Sequence, residues 1–169
     1  MNFRMTSAPR AMERCGLPRE DSNYGIDLHV VAMYLPIFFT GRLIARFGET
    51  PIVLAGLALT AAAALVGMSG QTVAHFWWAL ALLGVGWNFG FLGASAMVLQ
   101  CHTPQEGPRV QSINDFVVFG TMVIGSFASG SLLSAYGWST VAALTLPPVV
   151  VAAAALLWLG RARQAQPSI

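Results

Sequence analysis

Five apolar runs, separated by short polar turns, leave this chain few folds to choose from. They cover residues 26–44, 51–68, 75–99, 113–135 and 140–159. As a helix rising ~1.5 Å per residue, even the shortest run nearly matches a hydrocarbon core of roughly 30 Å. Inside lipid each backbone N–H and C=O must find its partner within the segment, which selects helices. Composition points the same way: 56% of residues are hydrophobic and only 9% are charged, with a mean hydropathy of +0.64. A water-soluble domain carries about 25% charged residues. The expected fold is therefore all-α, a polytopic membrane helix bundle of five transmembrane helices over 26–163, embedded in the lipid bilayer of the cell inner membrane.

The breaks between runs have local causes. Pro36 falls near the middle of the first run and is expected to kink it, the freed carbonyl being repaired by a neighbouring helix. Pro51 suits the first turn of the second helix, where a missing N–H costs nothing. Ser69-Gly70-Gln71-Thr72 separates the second run from the third, which opens on Phe76-Trp77-Trp78, aromatics of the kind that anchor at headgroup level. Pro104, Gly107 and Pro108 break the chain before the fourth run. Tyr136-Gly137-Trp138-Ser139 reads as a turn with two more interfacial aromatics. The fifth run carries Pro147-Pro148. Residues 1–25 read as an irregular segment, and 164–169 as a cytoplasmic tail.

The nine basic residues are all arginine. Arg42 and Arg46 lie in the first turn, Arg109 in the third, and Arg161 and Arg163 follow the last run, while the second and fourth turns have none. Positive-inside logic puts the first and third turns and the C-terminus in the cytoplasm. Arg4, Arg10, Arg14 and Arg19 then lie on the wrong side, a conflict that points to a chain continuing upstream. A net charge of +2 is too small and too scattered for a nucleic-acid partner. Cys15 and Cys101 have no second thiol near them, no His, Cys or carboxylate set has metal-ligand spacing, and no cofactor is implied. G-x-S-x-G and H-E-x-x-H are both missing, so an intramembrane enzyme lacks support.

Three stretches carry a family resemblance. Gly41-Arg42-Leu43-Ile44-Ala45-Arg46-Phe47-Gly48 resembles the G-x-L-x-D-R-x-G loop of the major facilitator superfamily, with Ala45 at the aspartate position as in its degraded C-terminal copy. Gly84-Val85-Gly86-Trp87-Asn88 resembles the glycine-rich fourth helix of a facilitator half. Gly125-Ser126-Phe127-Ala128-Ser129-Gly130-Ser131-Leu132, closing on Gly137-Trp138, resembles the fifth helix and its exit turn. Their order implies the C-terminal half of a facilitator, from about the eighth helix to the twelfth. Residues 5–16 are then the remnant of a seventh helix, although Arg10, Glu13 and Arg14 sit badly in lipid.

The resemblance implies membrane transport of a small organic solute by alternating access around a midplane site. Drug-like compounds and vitamin-like metabolites such as riboflavin both remain open. A truncated chain would need the missing N-terminal half, or another copy, as partner. The competing reading is a non-transporting small membrane protein that acts as an assembly or interaction module.

Each candidate residue has a functional and a structural reading. Asn88 and Trp87 fall at the centre of the third run, where the matching family helix lines the cavity, so both are expected to contact substrate. The alternative is that Asn88 caps a neighbouring helix and Trp87 packs. Gly84, Gly86, Gly90 and Gly93 are expected to let helices approach closely. Gly41, Arg42, Arg46, Gly48, Asp115, Gly125 and Gly130 are the expected gating positions. Asp115 either pairs with Arg42 or Arg46 as a latch or simply sits at the positive end of its helix dipole. His29, beside Asp27 near the outer end of the first run, makes an interfacial hydrogen bond or relays protons to couple transport.

Overall fold

The computed structural model describes residues 2–101, 103 and 105–164. Seven helices follow one another: α1 (Asn2–Arg14), α2 (Arg19–Tyr34), α3 (Ile37–Phe47), α4 (Glu49–Ser69), α5 (Val73–Leu99), α6 (Gly107–Ala143) and α7 (Leu146–Gln164), with no strand among the described residues. Four helical stretches are long and apolar enough to cross a membrane: Glu49–Ser69, Val73–Leu99, Gly107–Ser129 and Ser131–Arg161. A fifth is formed if α2 and α3, bent by 41° at their junction, count as one span. The fold is an all-α membrane helix bundle. Its outer surface agrees: Phe38, Phe116, Ile124, Phe127 and Trp158 are each more than 70% exposed, a display of large apolar side chains that suits lipid and not water.

The first apolar run is thus two helices. Pro36 has no N–H to give, and α2 ends at Tyr34 before α3 restarts at Ile37. Between α3 and α4 the chain turns on Gly48 alone, at φ 85°, a left-handed backbone that glycine adopts without steric cost. The turn expected at 136–139 is tighter than four residues: only Gly137, at φ 76°, leaves helical geometry. The chain breaks again at 144–145, ahead of Pro147-Pro148, so the fifth apolar run is shared between the end of α6 and α7.

The segment 1–25, expected to be irregular, contains α1 and the start of α2. The reason is a stripe of small and flexible side chains, Ser7, Ala8, Ala11 and Met12, each at most 2% exposed. They recur at helical spacing, and Ala8, Ala11 and Met12 pack on Phe76, Leu80, Leu133, Trp138 and Val141 to form a core cluster. Arg10, Glu13 and Arg14 are exposed. Arg14 Nη1 donates to Leu133 O at 3.0 Å, and Arg19 pairs with Glu13 at 2.7 Å. Trp138 is 5% exposed within the bundle, with its indole N–H donated to Gly67 O at 2.7 Å. Phe76 is likewise buried, whereas Trp78 and Tyr136 are exposed. Residues 165–169, most of the expected tail, lie outside the described residues, as does His102.

Candidate functional site

α5 is the axis on which the candidate site is built, and glycine is why two helices come so close to it. A Cβ on Gly86 would lie 2.8 Å from Thr60 Oγ1 and 2.9 Å from Gly56 O, and one on Gly56 would lie 2.6 Å from Gly90 N. α4 and α5 therefore touch backbone to backbone around Gly56, Gly86 and Gly90. On another side of α5, a Cβ on Gly84 would meet His29 O at 2.6 Å, so α2 is drawn in equally tightly.

Two further bonds fasten α2 along α5. Trp77 Nε1 donates to Asp21 O at 2.8 Å, and His29 Nδ1 lies 2.7 Å from Leu80 O. A carbonyl only accepts, so the proton sits on Nδ1. His29 is wholly buried between the two helices, deeper than its place in the run implied, while Asp27 beside it is exposed.

The break at Pro36 leaves backbone carbonyls in need of donors. An unbroken helix would pair Met33 O with the N–H of residue 37. Here Asn88 Nδ2 takes that carbonyl at 2.8 Å. Its Oδ1 receives the hydroxyl of Thr40 at 2.6 Å, and the same hydroxyl lies 2.7 Å from Pro36 O. Asn88 is 3% exposed and Thr40 not at all. One buried amide therefore bridges both pieces of the broken helix, which is the capping role weighed for it in the sequence.

Beside this bridge lies a cavity of about 320 Å³. Met33, Tyr34, Ile37, Trp87, Phe91 and Phe119 line it together with Asn88. Trp87 stacks on Phe91 with ring centroids 5.3 Å apart and planes within 12°, and Phe91 meets Phe119 at 6.3 Å. Trp87 and Phe91 also border a second cavity of about 320 Å³ against Gly56, Thr60 and Ala152, so the stacked pair forms the partition between the two. The wall is apolar and aromatic, and the indole N–H of Trp87 makes no hydrogen bond to the described residues. Such a surface suits a flat apolar or aromatic ring.

The expected gating residues are spread over α3 and α6. Gly41, Arg42 and Arg46 lie on the exposed side of α3, where the Arg46 guanidinium sits 5.2 Å from the Phe47 ring centroid. Gly48 forms the α3–α4 turn. Asp115, on α6, accepts from Gln111 at 2.8 Å and Asn114 at 3.3 Å; its carboxylate does not meet Arg42 or Arg46 in this structure. Near that end the α4 and α5 termini are joined by Gln100 and Glu49 instead. Gly125 and Gly130 both lie within α6, with Gly125 half-buried. Sequence reasoning missed Thr40 and Gly56. The signal for Thr40 was present: a hydroxyl one turn after a proline, closing the apolar stretch 30–39.

A bundle of apolar helices, four of them long and apolar enough to cross a membrane, defines the class as a polytopic membrane protein. Comparison with known proteins sharpens this. The model of the Major Facilitator Superfamily matches residues 25–168. The riboflavin transporter RfnT of Brucella anthropi is 50% identical over 151 residues, 89% of this chain and 38% of that protein. Two uncharacterized MFS-type transporters of Bacillus subtilis, YddS at 32% and YdeG at 28% identity, each align with 87% of this chain and 36% of their own length. No solved structure matches. The chain belongs to the major facilitator superfamily. It spans little more than a third of the length of these relatives.

Proposed function

We propose that this chain supplies part of a secondary transporter that moves a flat, heteroaromatic solute, riboflavin or a close analogue, across the inner membrane by alternating access. The observation that carries the solute class is the stacked Trp87–Phe91 wall. The 50% identity to a protein named as a riboflavin transporter supports the choice of flavin over other flat rings. Trp87 contacts the substrate; Asn88 serves it indirectly, by holding the helix break that shapes the cavity. Because the relatives are longer, the working transporter includes a further half, contributed by additional sequence or by another chain.

Within that transporter, the order of the motifs makes α2–α3 the eighth helix, α4 the ninth, α5 the tenth, and α6–α7 the last two, with α1 as the end of a seventh. The arginine-bearing ends around Arg42, Arg46, Arg109 and Arg161 face the cytoplasm, as does the C-terminus. His29 is read as a tie between α2 and α5 through its Nδ1–H on Leu80 O, and proton coupling is assigned to the remaining half. The test is accumulation of labelled riboflavin by an auxotroph making this chain together with the first half of a facilitator relative. Saturable uptake that Trp87→Ala abolishes and Trp87→Phe preserves is expected. Stable expression with no uptake of riboflavin or its analogues would overturn the reading and leave an assembly module in its place.

A further inference from the structure

α2 and α3 are held to the bundle very differently. α2 is fastened to α5 at three levels, through Trp77 to Asp21, His29 to Leu80, and the contact of Gly84 with the backbone of residue 29. α3 begins after a break and a 41° bend, and Thr40 is its single buried residue. Ile37, Phe38, Phe39 and Phe47 are all at least 45% exposed. The polar tie from α3 into the bundle is the Thr40 hydroxyl on Asn88 Oδ1. Losing that bond costs nothing in backbone pairing, because Pro36 O is still held by the N–H groups of Phe39 and Thr40. A rigid piece, a proline pivot and a loosely attached piece with one buried polar catch together make a hinged element.

We propose that the Thr40–Asn88 hydrogen bond is a latch, and that α3 swings about Leu35–Pro36 to change access to the Trp87 cavity when the latch opens. Ile37, the first residue of α3, lines the cavity beside Asn88, so a swing of α3 moves one wall while Trp87 and Phe91 on α5 stay fixed. Thr40 acts here as a positioning residue: it touches no solute and sets where Ile37 stands. The inference rests on the transport reading for its purpose, but the latch itself is measurable without any solute.

The experiment is hydrogen exchange of the purified chain in detergent micelles, read by peptide. Thr40→Val keeps the shape and removes the hydroxyl; Thr40→Ser restores it. In Thr40→Val, peptides covering 37–47 should exchange about fivefold faster, the shift that one lost hydrogen bond produces, while α4 and α5 peptides stay unchanged. Thr40→Ser should exchange at the parent rate. Asn88→Ala, which also frees Met33 O, should extend the faster exchange back into 31–35, and it serves alone if Thr40→Val does not fold. Unchanged exchange over 37–47 in both folded variants overturns the latch. So does a rise spread evenly over α4 and α5, which marks general loosening. Loss of riboflavin uptake with a working latch would instead strike the transport reading.

Discussion

Asn88 shows how the partners of a side chain can stay hidden after its need for them is plain. Its position at the centre of an apolar run says that the amide must be bonded, because an unpaired polar group in hydrocarbon costs several kcal/mol. Which partner it finds depends on Pro36, fifty residues away, and that pairing is visible only when α2 lies against α5. Replacing Asn88 by Ala orphans Met33 O and is expected to lower stability by about 1–2 kcal/mol. An earlier midpoint in a detergent-unfolding titration would register it. Trp87 differs: its loss removes stacking area from the cavity wall and little buried polar chemistry. Trp87→Ala should therefore weaken flavin binding by at least about tenfold, using ~1.4 kcal/mol per decade, with the unfolding midpoint nearly unmoved. Quenching of riboflavin fluorescence on binding gives the affinity. For His29, the amide of Asn can replace Nδ1–H toward Leu80 O, so His29→Asn should keep both stability and the pH profile of uptake. A flattened profile would return the proton relay to this residue.

Helices α4 and α5 state the same lesson one scale up. Gly84, Gly86, Gly90 and Gly93 announce close approach in the sequence, yet spacing alone does not say which of them is occupied. A Cβ at Gly86 would meet Thr60 and Gly56 below 3.0 Å, whereas one at Gly90 would meet nothing within 4 Å. Gly86→Ala should therefore separate α4 from α5 and cost about 1–3 kcal/mol. Gly90→Ala should be tolerated, and its lower chain entropy when unfolded makes it slightly stabilising. Measuring both in one titration decides the point; equal effects would mean the helix contact is looser than drawn. The apolar runs and their Pro and Gly breaks were legible because each reflects a local cost, of charge in lipid or of a missing N–H. α1 was not, since its buried stripe is built of Ser and Ala, which look inert until Phe76 and Trp138 close over them. The partners of Trp138 were hidden for a related reason: an aromatic beside a Gly turn suits the headgroup layer, while its contacts with Phe76 and the Gly67 carbonyl exist only once α4 and α5 lie beside it.

At the scale of the whole molecule the open matter is sidedness, because arginines occur at both ends of the bundle. Arg42, Arg46 and Arg109 share one end, and Arg10, Arg14 and Arg19 the other. The second group is the weaker topological signal on physical grounds. Arg14 donates to the Leu133 carbonyl and Arg19 is paired with Glu13, so neither is a bare charge beside a span. Arg42 and Arg46 have no acidic partner among the described residues and lie on the exposed side of α3, just before the short Gly48 turn, where the positive-inside bias acts most strongly. The expected orientation therefore follows Arg42 and Arg46. A fluorescent protein fused after Ile169 should glow in the cytoplasm, and alkaline phosphatase fused at Gln71 should be active outside. The sharper form of the prediction removes the cause: Arg42→Gln with Arg46→Gln should produce a mixed population with both reporters partly active. If the double variant keeps a single orientation, the remaining half of the transporter sets the topology and the arginine turn merely follows it.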